Sequence, residues 1–113
     1  MKSDKYIPDR GELVWLDLNP QAGHEQQGRR PAIVLSPKSY NEKTNLALFC
    51  PITNKIKNYP FEVLLSDNQL TKGVVISDQI KSLDWHCRNI EFIEKVSSDI
   101  INQVISKSIL LLK

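Results

Sequence analysis

The chain has 113 residues and a mass of 13.0 kDa, with 41% hydrophobic and 25% charged residues, a size and mixture that predict one domain over residues 1–113 and exclude a disordered tail. Fifteen Lys and Arg against thirteen Asp and Glu give a formal charge of +2, too mild to establish a nucleic-acid partner, so any basic patch must be local. No apolar stretch has the pattern of a signal peptide or approaches the roughly 18 residues of a membrane span, so a soluble cytoplasmic protein is expected.

The first apolar run, Leu13 to Leu18, follows Arg10-Gly11 and stops at Asn19-Pro20, a turn signal, so it predicts a strand. Ala32-Ile33-Val34-Leu35 lies between Pro31 and Pro37 and is short, continuous and partly β-branched, which predicts a buried strand. Leu46 to Ile52 predicts a third, although Pro51 cannot donate to a ladder. Phe61 to Leu65 predicts a fourth. Gly73 to Ile76, leading towards Gln79-Ile80-Lys81, predicts a fifth, bent strand, and Ile90 to Val96 a sixth. The tail differs: Ile100, Ile101, Val104, Ile105, Leu111 and Leu112 follow helical spacing, with Ser97 or Ser98 as cap and Asp99 in the first turn. Many short strands and one closing amphipathic helix predict a mainly β protein, a small, strongly bent β-barrel with a packed helix. Trp15 reads as core. Cys50 and Cys87 lack metal spacing and read as free structural thiols.

One segment breaks the apolar pattern. Asn19 to Arg30, NPQAGHEQQGRR, has Ala22 as its one apolar side chain and lies between two predicted strands. A loop of that length in a compact chain is more often functional than incidental. Gly23 and Gly28 flank His24, Glu25, Gln26 and Gln27, and Arg29 and Arg30 follow, which concentrates proton-transfer and anion-binding groups. The guanidinium fork of Arg30 matches phosphate oxygens bidentately; its ordinary alternative is a solvated arginine at a strand start.

The ordered set Arg10-Gly11-Glu12, Asn19-Pro20, Gly23, Glu25-Gln26, Gly28, Arg30-Pro31-Ala32, Leu35-Ser36-Pro37, Tyr40-Asn41, Pro51-Ile52-Thr53, Tyr59-Pro60-Phe61-Glu62-Val63, Gly73-Val74-Val75, Asp78 to Ser82 and Asp84-Trp85 resembles the MazF/PemK (Kid) toxin family, most closely its MazF branch. The resemblance implies an SH3-like (CcdB/MazF-type) barrel, a homodimer, and a toxin of a type II toxin-antitoxin system. It implies a sequence-specific endoribonuclease that needs neither metal nor cofactor, cuts single-stranded mRNA, and is blocked by a cognate MazE-like antitoxin whose C-terminal segment lies across the RNA groove. Two alternatives stand beside it: a non-catalytic CcdB-like gyrase poison, and an SH3-like module that holds RNA or a peptide without cutting.

RNA cleavage without a metal proceeds by attack of the neighbouring 2′-OH on phosphorus, giving a 2′,3′-cyclic phosphate and a 5′-OH. The site must position the groups, move two protons and stabilise phosphoryl charge. Arg30 and Thr53 match the family's catalytic arginine and threonine. The threonine hydroxyl can donate to a non-bridging oxygen, and its ordinary alternative is a turn threonine. Glu25 is the expected carboxylate, either accepting the 2′-OH proton or orienting Arg30. His24 could shuttle protons. Arg29 reads as a phosphate contact, and Gln26 and Gln27 as readers of base edges. Gln79 and Lys81, expected on one face of a strand, suit base and phosphate contacts. Trp85 and His86 could stack on an unpaired base, the ordinary alternative for the tryptophan being core or interface. Lys55 and Lys57 form a basic rim or a solvated loop, and Tyr59 and Phe61 read as packing.

Overall fold

The structure is a computed structural model, and it describes residues 6–18 and 28–113. The strands are β1 (Glu12–Asp17), β2 (Arg29–Val34), β3 (Ala47–Thr53), β4 (Glu62–Leu64), β5 (Val74–Ile76), β6 (Lys81–Leu83) and β7 (Glu91–Lys95), with helices α1 (Lys38–Thr44) and α2 (Ser98–Ile109). All strand pairs are antiparallel, in the order β4-β5-β3-β2-β1-β7, and β6 pairs with β3. The expected mainly β architecture with a C-terminal helix is present. Closure is not: β4 and β7 end the path without pairing to each other among the described residues.

Both faces of the sheet are covered, which explains why β1 and β2 are runs of apolar residues rather than alternations. One face buries Leu13, Ile33, Cys50 and Ile52 with Val63 and Val75, beneath Ile100, Ile101 and Val104 of α2. Complete burial of such side chains contributes about 1.5–3 kcal/mol each. The other face buries Val14, Leu16, Ala32, Val34 and Phe49 with Trp85. Helix α2 starts where its cap was expected: the Ser97 hydroxyl accepts from the Ile100 amide at 3.3 Å.

Three local features depart from the sequence reading. The expected bent fifth strand is two strands, because the Ser77–Asp78 turn ends β5 and pairing resumes only at Lys81. Helix α1 was not expected. It carries no apolar repeat, and it is held by polar contacts and closed by Asn45 in the left-handed conformation at φ 60°. The Asn41 side chain is buried within α1, donates to Pro8 O (2.8 Å) and Ser36 O (3.0 Å), and accepts from the Ser36 hydroxyl (2.6 Å). Trp15 is 39% exposed rather than core, because it alternates with buried Val14 and Leu16 at a position no layer covers.

Candidate active site

The site begins where β2 and β3 stop pairing. Their register runs Val34↔Phe49, Ile33↔Cys50 and Ala32↔Pro51. Pro31 and Pro51 each lack an amide donor, so the ladder has chemical reason to end here. Arg30 and Thr53 lie just beyond the last of these pairs, Arg30 opposite Leu16 of β1 and Thr53 opposite Val74 of β5. Opposed residues share a face and strands alternate, so counting two residues from the Ala32↔Pro51 pair puts both side chains on one face of the sheet although they are remote in sequence. Lys81, paired with Phe49, belongs to that face as well.

The end of β3 separates two concavities. Ile52 and Asn54 border one of ≈ 380 Å³, together with Trp15, Arg30, Pro31 and Lys72. Thr53 and Lys55 border the other, of ≈ 390 Å³, together with Lys57, Tyr59, Asp78 and Gln79. Arg30 thus stands at the edge of the first and Thr53 in the wall of the second. On the rim of the first, Glu94 accepts from the amides of Leu70 (3.1 Å) and Thr71 (2.9 Å). Desolvation opposes its ionisation, but these amides and the side chains of Gln69 and Thr71 outweigh it and lower its pKa.

In the second concavity Thr53 is 8% exposed, and its Oγ accepts from the Lys55 amide at 3.2 Å, which leaves the hydroxyl hydrogen to be donated elsewhere. The segment that carries Lys57 is held by Glu62, whose carboxylate accepts from the amides of Lys57 (3.1 Å) and Tyr59 (3.3 Å). Tyr59 donates its hydroxyl to Asp78 Oδ2 at 2.7 Å, and this bond to a carboxylate raises the phenol pKa. A site with a hydroxyl donor, two lysines and a fixed carboxylate-phenol pair can bind a polyanion and discriminate the groups attached to it.

The sequence matches the family described as PemK-like, MazF-like toxin of type II toxin-antitoxin system over residues 9–112. The chain belongs to this toxin family. It is 51% identical to the endoribonuclease toxin MazF of Escherichia coli (strain K12) over 84 residues, 74% of this chain and 75% of that protein. The crystal structure of MazF (Form-I) from Deinococcus radiodurans superposes with a TM-score of 0.92 at 49% identity, covering 96% of this chain and 98% of that one. A MazE-MazF crystal structure (Form-II) from the same organism gives 0.87 at 49% identity, covering 96% and 97%.

Several residues singled out in this MazF-like chain lie elsewhere than expected. Arg29 is not poised for a phosphate. Its guanidinium bonds Asp17 (3.4 Å), Glu91 (3.1 Å) and the Asn89 carbonyl (2.6 Å), which ties β2 to β1 and β7. Alternation along β2 puts it on the face opposite Arg30. Trp85 is 3% exposed, packs in the core and donates its indole N–H to Asn41 O at 3.3 Å, so it offers no ring face to a base. Gln79 precedes β6 rather than sharing a strand with Lys81. Tyr59, expected as packing, is exposed and bonded to Asp78. Cys50 is buried and its thiol is pushed up to about 12 by burial, whereas Cys87 is exposed rather than structural. His24, Glu25, Gln26 and Gln27 lie outside the described residues. The sequence reading missed Asp78 as a member of the cavity wall; its adjacency to Gln79 was the available signal.

Proposed function

We propose that this chain is the toxin of a type II toxin-antitoxin pair, a sequence-specific endoribonuclease that cuts single-stranded mRNA without a metal ion and so arrests translation and growth. The observation that supports the site assignment is the β2–β3 register, which ends at Ala32↔Pro51 and leaves Arg30 and Thr53 just beyond it, each bordering one of two adjoining concavities. A phosphodiester seated at that opening meets a guanidinium from one strand and a hydroxyl from the other.

The chemistry then follows in balance. The 2′-oxygen attacks phosphorus while its proton passes to a base. The P–O5′ bond breaks, and the departing oxygen takes a proton from an acid. Arg30 neutralises the added phosphoryl charge, and Thr53 donates to a non-bridging oxygen. Glu25 either accepts the 2′-OH proton or orients Arg30, and His24 shuttles protons. Lys55 and Lys57 draw the RNA backbone to the second concavity. Gln26, Gln27 and Gln79 read base edges, and Lys81 contacts backbone phosphate.

The finer architecture fits the same reading. A β3 that pairs with β2, β5 and β6 along its length supports an SH3-like (CcdB/MazF-type) barrel. No described helix is long and apolar enough to cross a membrane, and the working form we propose is a cytoplasmic homodimer. Its inhibitor is a MazE-like antitoxin whose C-terminal segment replaces the RNA in the groove. The gyrase-poison and binding-module readings require no paired arginine and threonine.

The test is incubation of purified protein with a long single-stranded RNA in EDTA, followed by mapping of the ends. Discrete fragments with 2′,3′-cyclic phosphate and 5′-OH ends are expected. Intact RNA, or loss of cleavage with EDTA, contradicts the proposal.

A further inference from the structure

Two consecutive residues in the last turn of α2 reach the two chain segments that form one wall of the Thr53 concavity. Lys107 donates from Nζ to Pro60 O at 2.5 Å, and Pro60 directly follows Tyr59. Ser108 is buried and donates its hydroxyl to Ser77 O at 2.8 Å, and Ser77 directly precedes Asp78. Tyr59 and Asp78 are themselves bonded across the wall at 2.7 Å. A helical serine commonly returns its hydroxyl to its own helix backbone. Ser108 instead donates to a carbonyl 31 residues away in sequence. The two segments carry little regular structure: β4 and β5 have 3 residues each, and the pair of residues in question lies just outside them. Thr53 differs, because it ends a 7-residue strand and is itself paired with Val74 of β5.

We propose that Lys107 and Ser108 are positioning residues for RNA binding: the last turn of α2 holds the Tyr59–Asp78 wall at a fixed distance from Thr53. This rests on the nuclease reading given above. The wall contacts the nucleotide rather than the reacting atoms, and the reacting hydroxyl sits on β3, which is fixed by its pairing with Val74 and by core packing of Cys50 and Ile52 under the body of α2, independently of the Lys107–Pro60 bond. Loosening the clamp therefore weakens substrate binding and leaves the chemical step intact. A merely structural role would instead lower the amount of folded enzyme and leave its KM unchanged.

The experiment compares the full chain with Lys107→Met, Lys107→Arg and Ser108→Ala on one defined single-stranded RNA, measuring kcat, KM and thermal unfolding. Lys107→Met and Ser108→Ala are each expected to raise KM several-fold and together about tenfold, with kcat within about twofold of the parent. Lys107→Arg, which keeps a donor, restores the parental KM. Lys107 lies at the surface, so its variants report even if Ser108→Ala fails to fold. A cutting parent alongside a Lys107→Met variant with parental KM overturns this inference alone. A parent that leaves RNA intact overturns the nuclease reading and the inference with it.

Discussion

Gly73 and Thr53 meet so closely that no side chain fits between them. A Cβ on Gly73 would stand 2.3 Å from the Thr53 carbonyl oxygen, and Gly73 holds φ +118°, a conformation L side chains rarely adopt. The hydroxyl assigned to catalysis is thus set in place by a neighbouring strand that can approach only because it enters through a glycine. Gly73→Ala should destabilise the fold by about 1–3 kcal/mol and lower cleavage per folded molecule, because the displaced backbone is that of Thr53 itself. Urea unfolding and cleavage assays check this; parental values in both would show that the contact relaxes freely.

Thr53→Val keeps the shape of the side chain and removes its donor. The single-turnover cleavage rate should fall by about 10²–10³, and Thr53→Ser should recover most of it. A valine variant that cuts at the parental rate removes Thr53 from the chemistry.

Arg29 and Arg30 are adjacent and should behave in opposite ways. Arg29 joins β2 to Asp17 and Glu91 at the surface, so Arg29→Met should cost under about 1 kcal/mol of stability and leave kcat/KM within about threefold. A tenfold loss of kcat/KM would return Arg29 to the RNA groove.

The Asn41 side chain bonds Pro8 and both the carbonyl and the hydroxyl of Ser36 from a fully buried position. Asn41→Leu leaves those groups without partners and should destabilise the chain by about 2–3 kcal/mol, read from urea midpoints. An unchanged midpoint would mean that water replaces the amide.

The Tyr59–Asp78 bond predicts a pH signature. The folded-state pKa of Tyr59 is raised, chiefly by donation to the Asp78 carboxylate. A raised pKa contributes stability that is complete below the unfolded value of about 10 and disappears as pH rises through the folded value. The stability difference between parent and Tyr59→Phe should therefore be flat from about pH 7 to 9 and shrink only in alkali. A difference that changes near neutrality would assign the coupling to another group.

Much of this architecture was legible because burial leaves a pattern. β1, β2, β3 and α2 stand out as apolar runs or helical spacing with turn and cap residues at their ends. α1 left no such trace: its stability comes from Asn41 and an Asn45 cap, and polar contacts have no period. The aromatics were legible only in part: Trp15, read as core, is exposed, Trp85 takes its core alternative rather than a stacking role, and Tyr59 matters for a partner 19 residues away. The separation of Arg29 from Arg30 was available in principle from strand alternation. The arrival of Arg30 and Thr53 at the same end of the β2–β3 ladder was not, because it depends on the register between two strands joined through α1.

The central claim is that Arg30 and Thr53 act on one phosphate. A double-mutant cycle of Arg30→Ala and Thr53→Val, read as single-turnover cleavage of a defined RNA, tests it most directly. Groups acting on one transition state are non-additive, so each variant alone should cripple cleavage and the double variant should lose about tenfold less than the product of the two losses. Strictly multiplicative losses, or parental cleavage by either single variant, would contradict it.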